Sequence, residues 1–422
     1  MMDHRFKRPV FKYPLYRQFL LSLTILAVIL PAHWNAVAQT KASAAPASQM
    51  TPQELQAFGK QVQEIANSQD AEKFRALFDW KTFVDRVLAE YEQNPAVKQA
   101  IQPVRQQLET AYTGNNQGID SEILAEIGNG GDYRFLAMRK EQDQYKVVFR
   151  FLRPDWTLNY HALIVEKQQS GELQIIDIDS FSTGEFISQS LKRLYLPEIY
   201  KAHLSVQDKL SQQEKSSIQN QKKRYDFLTP SDAPTDPFQA YQQLPGEYKG
   251  EKTVLLLLAH DTIAKENHKK YLQVLGAFRK NYPSDPTVEL LSVEYFNLTK
   301  EYPQALESLD RLTASLKTVD PFLYSLRAEI LIEMGDINLA GKYAGKASEI
   351  EPNLLHPYLH LISISVMQSN FDDTVRYLDT LKTKFGFAYE DLDLSELENH
   401  SKLTASPQFK KWQASQLPAS PK

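Results

Sequence analysis

Residues 322–352 read FLYSLRAEILIEMGDINLAGKYAGKASEIEP, and the reading of this stretch decides the architecture of the C-terminal half. Tyr324, Ala328 and Leu331 recur at three- and four-residue spacing, the mark of one buried helix face. Gly335-Asp336 interrupts the run and predicts a turn. A second helix then places Ala340, Ala344 and Ala347 on one stripe and stops before Pro352, which cannot continue it. Small residues along that stripe let two antiparallel helices approach closely, with Ile337 packing between them.

The same arrangement is legible on both sides. Upstream, Phe296, Tyr302, Ala305, Leu309 and Leu312 take the places of Leu331, Ile337, Ala340, Ala344 and Ala347; downstream, Phe371, Thr374, Leu378 and Leu381 match Ile337, Ala340, Ala344 and Ala347. Ala305, Ala340 and Thr374 are thus spaced by 35 and 34 residues. A helix–turn–helix unit of that period resembles the tetratricopeptide repeat. The central copy carries the family's small and turn positions in Ala328, Gly335, Ala340, Ala347 and Pro352; the flanking copies depart from it, with Lys300 and Ser369 at the turn glycine and Thr374 at a small alanine. A further helix pair over 254–264 and 267–282 is expected before them, and the resemblance covers about a third of the chain.

The resemblance implies a concave groove lined by the first helix of each pair. Mapped onto this chain, the groove residues are Leu290, Glu294 and Asn297, then Ser325, Glu329 and Ile332, then Leu359, Ser363 and Val366. Some family members clamp a peptide carboxylate with Lys, Asn and Arg at such places. Glu294 and Glu329 stand there instead, so that clamp is not expected. Either the groove takes a neutral or basic peptide, or the acids keep it soluble.

The N-terminus carries a different signal. Arg5, Lys7, Arg8, Lys12 and Arg17 precede an apolar run over 19–30, and Ala36-Val37-Ala38 offers a small-x-small cleavage site before Gln39. This is the layout of a secretory signal peptide, with an uncleaved anchor as the alternative. It predicts a periplasmic or secreted protein of a bacterial envelope. Residues 39–50 are small and polar, a disordered leader. Those first 38 residues hold five of the 48 basic and one of the 52 acidic residues, leaving 43 and 51 and a net charge of −8. An acidic body gives no footprint for nucleic acid. With no cysteine, thiol nucleophiles, disulfides and cysteine-ligated metals are excluded. No later run is long and apolar enough for a transmembrane segment.

Residues 51–200 read as an α+β domain. Thr51-Pro52 with Glu54 predicts a capped helix start, and Leu55, Phe58, Val62 and Ile65 give that helix an apolar face. Helices are expected over 71–78, 80–91 and 95–112. The period then changes to two, and strands are expected over 133–139, 145–152, 158–166 and 173–180, joined by tight antiparallel connections. Helices followed by a curved antiparallel sheet resemble the nuclear transport factor 2-like (cystatin-like) superfamily, as does the run NYHALIV followed by IIDIDSFSTGEFISQSLKRL. That resemblance implies a pocket between helices and sheet. Asn159 and His161 share one face of the third strand, and Asp177 and Asp179 one face of the fourth. If both faces point inward they form a polar floor, with an aspartate beside His161 for acid–base work; otherwise they mark a wet or structural face.

Residues 201–250 form a polar helical connector, with a basic cluster at Lys222, Lys223 and Arg224 and a proline-rich linker at 229–237. The helical array is expected over 251–390. Leu392, Leu394, Leu397, Phe409 and Trp412, within 391–422, supply a capping helix for its open end. Phosphate-binding loops, dinucleotide fingerprints and nucleophile elbows are absent. His356 and His360 are four apart but enclose Pro357 and lack a following Glu, which predicts a helix start rather than a metal site. The sequence therefore predicts no catalytic residue, metal or cofactor. It points to a non-enzymatic interaction or scaffold protein with a protein or peptide partner. The alternative is small-ligand binding, or cofactor-free enzymatic activity, in the N-terminal pocket.

Overall fold

The computed structural model describes residues 50–416 apart from 115–117, 142–143, 214, 217–225, 228–235, 266, 284, 388–392 and 396. The expected signal sequence, all but the last residue of the leader, the basic cluster at 222–224, the linker residues 229–235 and Leu392 lie outside the described residues. The chain divides into two compact units between Val288 and Glu289.

In the first unit, helix α1 (Pro52–Asn67) starts as its sequence dictates: the Thr51 hydroxyl accepts from the Glu54 amide, and the Glu54 carboxylate accepts from the Thr51 amide at 2.8 Å. Its face of Leu55, Phe58, Val62 and Ala66 is buried. Gly59 lies against the Phe135 ring, where a Cβ would come within 2.4 Å, so only glycine admits this approach of helix to sheet. Helices α2 (Ala71–Ala76), α3 (Trp80–Leu88), α4 (Pro95–Ala100), α5 (Gln102–Glu109) and α6 (Ile119–Gly128) follow. The single helix expected over 95–112 is two helices. Pro103 has no amide to donate and sits in the first turn of the second, so the chain breaks at Ile101.

The sheet is a five-stranded antiparallel meander in the order β1 (Asp132–Glu141), β2 (Gln144–Leu152), β3 (Leu158–Lys167), β4 (Leu173–Ser180), β5 (Glu185–Phe186). Four strands fall where the period-two pattern places them. Tyr133, Val147, Phe149, Phe151, Leu163 and Val165 join the helix residues in one core, with Tyr133 stacked on Phe149 at 4.5 Å. Helices α7 (Ile187–Leu194), α8 (Leu196–Ser205), α9 (Pro237–Gln243), α10 (Gly246–Lys249), α11 (Lys252–Ala264) and α12 (His268–Asn281) complete this unit, and α11 packs on α12. This is the α+β domain, followed by helices.

The division falls inside α13 (Pro286–Leu298), and the second unit continues with α14 (Tyr302–Leu316), α15 (Pro321–Glu333), α16 (Ile337–Ile350), α17 (His356–Met367) and α18 (Phe371–Phe385). Three connections between these helices share one geometry. Lys300, Gly335 and Ser369 have φ of 60°, 81° and 55°, and the amides of Glu301, Asp336 and Asn370 each reach back five residues, to Phe296, Leu331 and Ser365. This closes each first helix in the manner of a Schellman turn. After each turn the same positions are fully buried: Ala305, Leu309 and Leu312; Ala340, Ala344 and Ala347; Thr374, Leu378 and Leu381. The threonine is accommodated because its hydroxyl bonds Ser365 Oγ at 2.8 Å and the Asn370 carbonyl at 3.0 Å. Gly335→Ala is expected to cost about 1–2 kcal/mol, the strain of a side chain in the left-handed region. Ser369→Gly is expected to be neutral or mildly stabilising; urea melts of both check this.

Helices α19 (His400–Ala405) and α20 (Pro407–Gln416) close the array, with α20 packed on α18. Leu394, Leu397, Phe409 and Trp412 are buried, and Trp412 Nε1 donates to Asp379 at 2.6 Å. No helix among the described residues is long and apolar enough to cross a membrane.

Candidate functional site

Two groups of polar residues are candidates, one in each unit. In the first, pairing register decides what the sheet brings together. His161 lies opposite Ser180, while Ala162 lies opposite Asp179 and Ile164 opposite Asp177. Cross-strand partners share a face, so Asn159 and His161 stand on one face and Asp177 and Asp179 on the other. The acid–base pair conditionally expected between His161 and an aspartate is not formed. The cause is a bulge. Lys167 pairs with Leu173 and Val165 with Ile175, but Ile164 pairs with Asp177, leaving Ile176 as an extra residue. Without it, His161 would face Asp179 across the same surface.

Each group is held by its own partners. His161, 3% exposed, lies edge-on to Tyr133 with ring centroids 5.7 Å apart. Asn159 Nδ2 donates to its Nε2 at 3.1 Å, so Nδ1 carries the proton and faces the Tyr133 hydroxyl at 3.3 Å. The Asn159 carbonyl oxygen accepts from the Tyr160 and Ser182 amides at 2.7 and 2.8 Å. Burial, with the Arg153 charge adding to it, pushes the His161 pKa down to about 3, and the imidazole is neutral. It therefore contributes stability that is complete above pH 6.5 and is lost as pH falls toward 3. At pH 5 the loss is about 2 kcal/mol. In His161→Gln the stability slope between pH 6 and pH 4 should fall by about one proton, read from urea melts.

On the opposite face Asp177, 1% exposed, accepts from Arg86 Nε at 2.8 Å, Ser188 Oγ at 2.6 Å and the Ser188 amide at 3.1 Å. Burial raises its pKa, and Arg86 and Ser188 oppose that rise. Asp179 bonds Lys146 Nζ at 2.8 Å. A separate surface groove of about 550 Å³ opens between α1, α2 and the β3–β4 turn, floored by Phe58, Leu77 and Leu173. Two of its charges are paired, Glu54 with Lys167 at 2.7 Å and Lys73 with Asp70 at 2.7 Å. None of Asn159, His161, Asp177 and Asp179 lines it.

The second group lies on the first helices α13, α15 and α17. Helices α15 and α17 pack side by side, which joins their faces into one surface. Glu294 and Asn297 are 2% and 9% exposed, and Ser325 on α15 is fully buried. Leu290, Glu329, Leu359 and Val366 are also buried, while Ile332 and Ser363 are partly exposed. Neither carboxylate oxygen of Glu294 has a hydrogen-bond partner; the same holds for Asn297 Oδ1 and Ser325 Oγ. Burial without a donor pushes the Glu294 pKa up to about 8. Such orphaned acceptors are rare in folded proteins and costly.

The sequence reading missed Phe322 and His356 on this surface. Each lies three residues before Ser325 or Leu359, the same face by helical spacing, and the His356 ring meets Phe322 edge-on at 5.0 Å. Helical spacing is the signal that could have found them; the sequence reading places His356 at a helix start, which the structure has. Among the described residues there is no cluster of three His, Asp or Glu able to hold a metal. Comparison with protein-family models, with curated proteins and with solved structures finds no match.

Proposed function

We propose that this is an exported, non-enzymatic interaction or scaffold protein that binds a protein or peptide on the first-helix surface of its C-terminal array. The observation that carries the reading is the side-by-side packing of α15 and α17, which joins their faces into one surface with Ile332 and Ser363 partly exposed on it. The three equivalent turns at spacings of 35 and 34 residues support a tetratricopeptide-like array, whose first helices form the inner surface. The basic and apolar N-terminus supports export to the periplasm or beyond, with a mature end at Gln39. The element order of the first unit supports a nuclear transport factor 2-like scaffold for it.

The alternative, a ligand or a reaction at Asn159 and His161, is the weaker reading. Both ring nitrogens of His161 are occupied by Tyr133 and Asn159, and the aspartates face the other way. The test is co-purification from the envelope with the wild-type chain and with Ser363→Lys, a change at a partly exposed position of α17. Loss of one partner in the variant is expected. Retention of that partner in Ser363→Lys, with its loss on disruption of the first unit, would place binding elsewhere.

A further inference from the structure

The surface groove between α1, α2 and the β3–β4 turn contains an unpaired stretch of the sheet edge. Val165, Glu166 and Lys167 of β3 pair in unbroken register with Ile175, Gln174 and Leu173 of β4. Ile175 turns both of its backbone groups away from β3: its amide donates to the Leu77 carbonyl at 2.7 Å, and its carbonyl accepts from the Asp79 amide at 2.9 Å. Antiparallel positions alternate between bonding the neighbouring strand and facing away from it, so Leu173, two residues earlier, also aims its N–H and C=O outward. The Gln168 amide, which donates to the Glu172 carbonyl at 2.8 Å, fixes the same parity from the turn. The chain at Phe78 adds one parallel bridge to Ile175 and goes no further along the edge, because the residues before it are helix α2. Among the described residues nothing bonds the Leu173 backbone groups, and Leu173 lines the groove of about 550 Å³.

We propose that this groove takes an extended strand of a partner polypeptide, added to the edge of β4 at Leu173. Main-chain bonds to Leu173 hold the strand, and its side chains are read on two faces. Cross-strand partners share a face. The Leu173 side chain packs on the helix core, so the residue opposite it sets its side chain on Phe58, Ile65 and Leu77, a floor that suits an aliphatic group. The residues on either side of that one face as Glu172 does. Glu172 is exposed and makes no ion pair among the described residues, whereas Glu54 and Lys73 are paired within the protein. The uncompensated charge of the groove is negative, and its complement is a Lys or Arg next to the aliphatic residue. This site belongs to the first unit and does not depend on the surface proposed for the array.

The test uses the purified full chain and a labelled, acetylated and amidated peptide Thr-Lys-Val-Lys-Thr, followed by fluorescence anisotropy. Methylating the three central amide nitrogens of the peptide should weaken binding by about fivefold or more, and replacing both Lys by Glu by about threefold or more. Leu173→Pro deletes only an outward N–H, leaves the ladder to β3 intact and should weaken binding as the methylated peptide does. Ala57→Trp, at an exposed position of α1 that lines the groove, should abolish binding with the fold unchanged by circular dichroism. No binding of the peptide, equal binding of its methylated form, or binding indifferent to Ala57→Trp would overturn the proposal. So would a dimer, seen by light scattering, that Ala57→Trp dissociates, since the groove would then belong to a second copy.

Discussion

Glu294→Gln should make the second unit more stable at pH 7 by about 3 kcal/mol. Burial raises the pKa of Glu294 to about 8, against an ordinary value of 4.5. The folded state therefore keeps its proton where the unfolded chain has lost it. Its contribution is fully present below pH 4.5 and is lost as pH rises through 8. Glutamine matches the neutral acid and does not titrate, so the gap between variant and wild type should open from near zero at pH 4.5 and level off above pH 8. Urea melts at pH 4.5, 7 and 8.5 measure it. A gap independent of pH would mean that Glu294 is not desolvated.

Arg86→Ala should destabilise the first unit by about 3–5 kcal/mol, because it strands a buried carboxylate. Arg86 reaches from α3 to Asp177 on β4, where Ser188 of α7 supplies the other donors, so three elements meet at one charge. Adding Asp177→Asn to Arg86→Ala should restore most of the loss, since the amide needs no counter-charge. A double-mutant cycle from denaturant melts separates this from packing. If Arg86→Ala cost under about 1 kcal/mol, the pair would be no more than a surface bridge.

Much of the fold was legible because it rests on periodicity. Strands β1 to β4 and the helices flanking Gly335 follow from alternation and from the small-residue stripe at Ala340, Ala344 and Ala347. The non-glycine turns were legible by analogy alone. Lys300 and Ser369 adopt the same left-handed backbone as Gly335 because helix packing on either side outweighs a strain of about 1–2 kcal/mol. The site in the sheet was not legible. The faces of β3 and β4 were each read correctly, but whether they coincide depends on the parity of the pairing. One bulge at Ile176 reverses that parity, and no residue type announces it. Helix α6 was passed over because its neighbours are polar and glycine-rich, although Ile123 and Leu124 reach the core. On the array, the mapped positions named Glu294 and Glu329. That Glu294 would lack a donor is a property of its neighbours, which no single sequence position reveals.

The central claim is that a partner docks on the first helices of the array. It is tested most directly by placing a photoreactive residue at Glu329 on α15 and, in a second strain, at the exposed Lys342 on α16, then crosslinking in living cells. The account predicts a discrete adduct from position 329, absent from position 342 and reduced when Ser363→Lys is present in the same chain. The same adduct from both positions, or none from 329 while sites in the first unit capture a partner, would contradict it.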